Sequence, residues 1–214
     1  LAAVSNPTTP ILNTTKTYTV TGTLNGCFGT AISTVTVKAN PVVSVTSPSI
    51  CRGQTAQPIA SGATTYTWTG GLVPIANPTT PILTSNQTYT VTGTLNGCFG
   101  TATSTVTVKA NPVVTVTNGN ICTGQTATLT ASGATTYTWS NGLGSGATVT
   151  TPALSADQTY TVTGTTNGCF NTATSTVIVR PSLLVSANNP NICSGQTANL
   201  VASGATTYTW TGGL

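Results

Sequence analysis

Three observations predict an all-β chain built as a tandem array of small β-sandwiches, about 71 residues to the repeat. First, the block Gln87–Lys109 occurs three times, returning as Lys16–Lys38 and Gln158–Arg180, with Cys27, Cys98 and Cys169 spaced 71 residues apart. A fixed period of this size makes length a count of repeats. Second, apolar residues alternate with threonine, as in Thr17-Tyr18-Thr19-Val20-Thr21, and a period of two marks a half-buried strand. Third, turn signals recur throughout and no helical periodicity intervenes, which suits seven or so short strands per repeat.

The period divides the 214 residues into 1–40, the second half of a repeat; 41–111 and 112–180, two complete repeats; and 181–214, the first half of another. In 1–40 a loop rich in Asn and Pro leads into a strand at Lys16–Thr23. Leu24-Asn25-Gly26-Cys27 then supplies the Asn-Gly turn that favours a tight hairpin, and Thr34–Val37 is the returning strand. The first complete repeat opens with a strand at Pro41–Thr46, straight after the short Ala39-Asn40-Pro41 junction. Thr55–Ala60 follows Cys51, and Pro58 bars it from the middle of a sheet, whereas its counterparts Thr126–Ala131 and Thr197–Ala202 alternate freely. The Ser61-Gly62 turn leads to Thr65–Trp68, where Tyr66 and Trp68 share a face, and Gly70-Gly71 ends that strand. Repeat 112–180 follows the same plan, with smaller side chains in the loop Asn141–Gly146. Leu1–Ile11 matches Leu72–Ile82 and Trp210–Leu214 matches Trp68–Leu72, so the sequence reads as a window on a longer array or the repeating unit of a fibre.

The residues that are missing narrow the function. Charged residues make up 3% of the chain, there is no His, and Asp157 is the single acidic residue. Without a carboxylate pair, or a His to pair with Ser or Cys, hydrolytic catalysis is not expected. The same inventory leaves no oxygen cage for calcium and no nitrogen ligand for zinc, so no cofactor is expected. A net charge of +4 is too dilute for nucleic acid, and Lys38, Lys109 and Arg180 recur at one repeat position, spread along the array as charged strand ends. No apolar run approaches the ~20 residues that span a bilayer. The six cysteines, Cys27, Cys51, Cys98, Cys122, Cys169 and Cys193, include no C-x-x-C pair, which favours structural disulfides in an oxidising, extracellular setting.

All twelve aromatic residues fall in four repeated positions, which leaves none over for a binding platform. Trp68, Trp139 and Trp210 lie on the third strand, and Tyr18, Tyr89 and Tyr160 near the start of the penultimate one. An immunoglobulin-type sandwich places its buried Trp and its corner tyrosine at these points; Phe28, Phe99 and Phe170 form the last set. The motifs Ile-Cys-x-Gly-Gln-Thr-Ala, Thr-Tyr-Thr-Trp, Gln-Thr-Tyr-Thr-Val-Thr-Gly-Thr and Asn-Gly-Cys resemble the tandem immunoglobulin-like repeats of large secreted surface proteins of Bacteroidota, over the whole chain. The resemblance implies type IX secretion, gliding adhesins and cell-surface fibres, hence a stalk or filament.

Two disulfide schemes follow. A 71-residue sandwich buries little surface and is expected to need a staple, and the simplest staples are Cys51 to Cys98 and Cys122 to Cys169, within a repeat. If the strand order is immunoglobulin-like, however, Cys51 lies at the bottom of the sandwich and Cys98 at the top. A seven-residue strand already rises about 23 Å, against the ~7 Å that a disulfide tolerates between α-carbons. The alternative joins the bottom of one sandwich to the top of the next, Cys51 to Cys169 and Cys122 to a following copy, which would stiffen an array that has no calcium. The function expected is a disulfide-stiffened structural region of an extracellular fibre or adhesin stalk. Its partners would be neighbouring repeats and further copies of the chain. The alternative is a glycan- or surface-binding module that uses the threonine-rich faces.

Overall fold

The computed structural model describes residues 5–212, so residues 1–4 and 213–214, parts of the two outer half repeats, fall outside the description. The chain forms two compact units, residues 1–110 and 111–214.

In the first unit, the half repeat forms an antiparallel hairpin of β1 (Lys16–Leu24) and β2 (Cys27–Val35), with Leu24 opposite Cys27. Its turn residues Asn25 and Gly26 lie at φ 51° and 83°. Two consecutive positive φ values define the tight turn whose twist matches that of the flanking strands, and Asn-Gly is the pair that adopts it most readily. The complete repeat contains β3 (Ser44–Val45), β4 (Ser49–Cys51), β5 (Ala60–Ser61), β6 (Thr65–Trp68), β7 (Gln87–Leu95) and β8 (Cys98–Lys109). One sheet has the order β4-β8-β7-β6, with β4 parallel to β8 and the other pairs antiparallel; β3 pairs with β5 in a second, short sheet.

The second unit repeats the plan with β9 (Thr115–Val116), β10 (Gly119–Cys122), β11 (Thr128–Ser132), β12 (Thr136–Trp139), β13 (Thr148–Thr150), β14 (Gln158–Thr166) and β15 (Cys169–Arg180). The four-stranded sheet is β10-β15-β14-β12, and the second sheet gains a strand, β13-β11-β9. Among its described residues the C-terminal half repeat contributes only the short pair β16 (Ser186–Ala187) and β17 (Ala202–Ser203).

Alternation places the core. On β7 and β8, Tyr89, Val91, Ser104 and Val106 point inward and are buried, while Thr88, Thr101, Thr103 and Thr105 point outward. The inward serine is satisfied: Ser104 donates to the Thr46 carbonyl at 2.7 Å and Ser175 to that of Thr117 at 2.7 Å, so the hydroxyl pins the chain after β3 or β9 to the long hairpin. In the second unit one core cluster runs from Val114 and Leu129 through Tyr137, Trp139 and Val149 to Tyr160, Val162 and Val177.

In the first unit the core divides into two clusters, around Val106 and around Val91. The cause is local. Leu129 and Val149 face each other in the β11–β13 ladder, and their counterparts one repeat earlier are Pro58 and Pro78. Both prolines are fully buried. Neither has an N–H to give, so the ladder loses its bonds at that pair. The flanking contacts persist in both repeats: Ala60 N–H to Ala76 O at 2.8 Å and Thr80 N–H to Ala56 O at 2.9 Å match Ala131 to Ala147 and Thr151 to Ala127. The path of the chain is kept while the strand is lost.

Candidate functional site

The features that set this chain apart from a plain sandwich are its cysteines and the strand ends that carry them. Cys51 closes β4, which runs parallel to β8, and it stands opposite Lys109. Cys98 opens β8 immediately after the Asn96-Gly97 turn. The twelve residues of β8, Cys98–Lys109, put roughly 36 Å between the two cysteines of one repeat, far beyond a disulfide's reach of about 7 Å. Cys122, opposite Arg180, and Cys169 stand in the same relation on β10 and β15.

Accordingly neither staple within a repeat forms. Cys51 and Cys169 are each disulfide-bonded, whereas Cys98 and Cys122, the partners those staples would need, are thiols, as are Cys27 and Cys193. The sequence signal that found this was the placement of Cys51 before a strand and of Cys98 at a hairpin tip. β4 itself was missed, since three residues paired in parallel leave no alternation to read.

The first unit also shows how two consecutive repeats meet. Cys98 Sγ lies 3.8 Å from the carbonyl oxygen of Lys38, and Lys38 Nζ donates to the Asn96 carbonyl at 3.3 Å. The end of half repeat 1–40 therefore abuts the hairpin tip of repeat 41–111. Lys38 is the equivalent of Lys109, the residue that faces Cys51.

The aromatic positions are distributed as follows. Trp139, Tyr89 and Tyr160 are buried, Trp68 and Tyr18 are half-buried, and Trp210 in the C-terminal half repeat is exposed. The indole N–H groups of Trp68 and Trp139 donate to Ile75 O and Gly146 O, each at 2.9 Å, and hold the following loop. The phenol that braces a backbone turn is Tyr66, whose hydroxyl accepts from Ala63 N–H at 3.0 Å and donates to Ala63 O at 2.9 Å. Tyr137 and Tyr208 do the same at Ala134 and Ala205.

The outward face of the four-stranded sheet carries ranks of threonine. Thr67, Thr92 and Thr101 stand opposite one another across three strands, as do Thr138, Thr163 and Thr172. Hydroxyl pairs bridge the strands at Thr88–Thr105 (3.1 Å) and Thr159–Thr176 (3.3 Å). The next rank ends in Phe99 or Phe170, which are 62% and 61% exposed. Sequence counting left no aromatic over for a binding platform; Phe99 nevertheless stands on the outward face of its strand, which it shares with Thr101.

Residues 110–182 match the family described as Ig-like domain, CHU_C associated. The fold is immunoglobulin-like. Among solved structures with this fold, the chain is similar to domains 3–5 of the Drosophila OTK extracellular region, with 12% identity over 77% of this chain and 70% of that one and a TM-score of 0.41. It is also similar to a three-domain immunoglobulin tandem of titin, with 12% identity over 78% of this chain and 88% of that one and a TM-score of 0.42. No curated protein sequence matches the chain. Among the described residues no cluster of metal-ligating side chains occurs, and no helix is long and apolar enough to cross a membrane.

Proposed function

We propose that this chain is a structural repeat region of an extracellular bacterial fibre or adhesin stalk, in which a disulfide from Cys51 to Cys169 clasps one immunoglobulin-like sandwich to the next. The observation that carries the reading is the state of the cysteines. The two that are bonded lie 118 residues apart, one 71-residue repeat plus the 47 residues from Cys51 to Cys98, while the four thiols have no counterpart at that separation within the chain. The junction of Lys38 with Cys98 supports it, because the same period carries Lys38 to Lys109 and Cys98 to Cys169. Stability in such an array is close to a sum over repeats and their joints, and a covalent joint adds stiffness without an ion. Oxidised cysteines suit a location outside the cell.

The test uses the chain's own scarcity of basic residues. Tryptic cuts after Lys38, Arg52 and Lys109 isolate Cys51 in residues 39–52, Cys98 in 53–109, and Cys169 in the segment after 109. Under non-reducing conditions 39–52 is expected to stay linked to the segment after 109, and a chymotryptic second digest to place the bond at Cys169. Linkage of 39–52 to 53–109 would overturn the clasp. A second reading draws on the exposed Phe99 at the end of the threonine ranks: recognition of a glycan or another hydroxyl-rich surface by that sheet face.

A further inference from the structure

The two bonded cysteines stand at particular places along the chain. Cys51 is the last residue of β4, before the main strands of its repeat, and Cys169 is the first residue of β15, the last strand of the following repeat. Between them lie the 117 residues 52–168, which hold β5 to β14. Among the described residues, every buried valine, leucine and aromatic side chain belongs to that segment except Val177 on β15.

The stretches on either side of the segment, 41–51 and 169–180, are held with little slack. β15 covers twelve residues as one unbroken strand, paired with β14 on one side and β10 on the other. A strand rises about 3.3 Å per residue and a fully stretched chain reaches only about 3.3–3.6 Å, so β15 has almost no length left to give under tension. In 41–51, slack could arise where the chain leaves β3 in one sheet for β4 in the other. That crossover is fastened to β8 at three consecutive residues: Ser104 Oγ donates to Thr46 O at 2.7 Å, Thr105 N–H to Ser47 Oγ at 3.2 Å and Thr107 N–H to Pro48 O at 3.0 Å. β4 then runs parallel to β8 until Cys51 stands opposite Lys109.

Without a bond at Cys51, tension passes on into residue 52 and through the whole of both repeats. Pulling Pro41 against Lys109 slides β4 along β8, and the ladder that resists is short: Ser49 with Thr107, Ile50 with Val108 and Cys51 with Lys109. Once it gives, the core is next in line.

We propose that the clasp supplies a covalent route for tension, along 41–51, across the Cys51–Cys169 bond and out along 169–180, so that residues 52–168 and the cores they form carry none of it. This rests on the pairing proposed above and gives that pairing a mechanical function. Forced unfolding is set by the unfolding rate, and tension cannot raise that rate in a segment it does not reach. A stalk built this way keeps its length when pulled, and reduction of one disulfide makes it extensible.

The test holds the full chain by peptide tags fused to its two ends, so that no cysteine serves for attachment, at a constant tension that unfolds the reduced chain completely. A dithiol is then admitted. One of its thiolates attacks a sulfur of the clasp and expels the other cysteine; its second thiolate attacks the mixed disulfide and expels the first. The reagent is left as a cyclic disulfide and its two protons pass to the two cysteines. Before the dithiol, the chain is expected to fall short of the reduced chain by the contour of residues 52–168, about 400 Å. After cleavage that length should appear in delayed, separate steps, one for each complete repeat, because both sandwiches were still folded. Release of all of it in a single jump at the moment of cleavage would show that the sandwiches had already unfolded inside the closed loop, which overturns the covalent route and leaves the clasp standing. Equal extension before and after the dithiol would overturn the clasp itself. A Cys51→Ser chain without dithiol is expected to extend like the reduced chain from the start; if it stays short, a different bond hides the length and the route through Cys51 is overturned.

Discussion

Gly62, Gly133 and Gly204 occupy one position of the repeat and sit at φ 95°, 92° and 97°. There the backbone passes so close to the neighbouring chain that a Cβ on Gly133 would lie 1.8 Å from the Val113 carbonyl oxygen. Positive φ alone costs a side chain about 1–2 kcal/mol, and a clash with backbone cannot be relieved by a rotamer change. Gly133→Ala is therefore expected to destabilise the second unit by more than about 2 kcal/mol, read from urea unfolding; a loss within experimental error would show that the turn can move away. The other residue that stands out is Tyr89, which is buried, and burial raises its phenol above the ordinary 10.0 by penalising the charged form. Below pH 10 both folded and unfolded chains keep that proton. Above it the unfolded chain sheds the proton first, so the stability owed to the neutral phenol falls as pH rises toward the folded value. Unfolding midpoints between pH 9 and 11.5 should drop, and Tyr89→Phe should drop less. Parallel profiles for the two proteins would show that the Tyr89 phenol is not the source of the loss.

Between residue and molecule, the most informative element is the strand that one repeat has and the other lacks. β13 pairs with β11 through Leu129 and Val149, and Pro58 and Pro78 remove both donors at the equivalent pair. Replacing both, Pro58→Leu with Pro78→Val, restores two ladder bonds worth about 1 kcal/mol each net. Losing two prolines gives back about 0.4–1 kcal/mol apiece of unfolded-state entropy, so the net gain is small. Hydrogen exchange is the sharper readout. The new amides at positions 58 and 78 should be protected together in the double variant and unprotected in either single one; fast exchange in the double variant would mean that side-chain shape, not the missing donors, broke the strand. This element also shows what a single sequence makes legible. The hairpins could be read because Asn96-Gly97 fixes the turn and alternation fixes the face. Pro58 could be read as a strand breaker. Its pairing with Pro78 could not, since the register across a long loop is set by tertiary packing, and the parallel β4 and short β13 carry too few residues to show a period. At the candidate site, the strand-end placement of the cysteines was legible from order alone, whereas the exposure of Phe99 depended on which face of β8 the register turned outward.

At the scale of the whole molecule the dominant fact is how little charge there is: five basic residues, one acidic residue and no His in 214 residues. Charge cannot supply much of the stability, because surface pairs are worth at most about 1 kcal/mol even where they form. Asp157 is used as a backbone acceptor, taking the Val179 N–H at 2.7 Å, a place filled by the neutral Asn86 toward Val108 one repeat earlier. The same cap made by a neutral amide indicates that the hydrogen bond, not the charge, is what the position requires. Stability then rests on buried valine, leucine and aromatic side chains and on the β-ladders, none of which titrates near neutrality. From pH 5 to 8 the unfolding midpoint should be flat. It should be equally indifferent to sodium chloride, whose screening acts only on charges that are nearly absent here, yet should rise in sodium sulfate, which strengthens apolar burial through exclusion from the surface. Urea titrations across those pH values and at low and ~1 M chloride test this directly. A change above about 1 kcal/mol in the chloride series would mean that the sparse Lys and Arg at the repeat ends hold the molecule together after all.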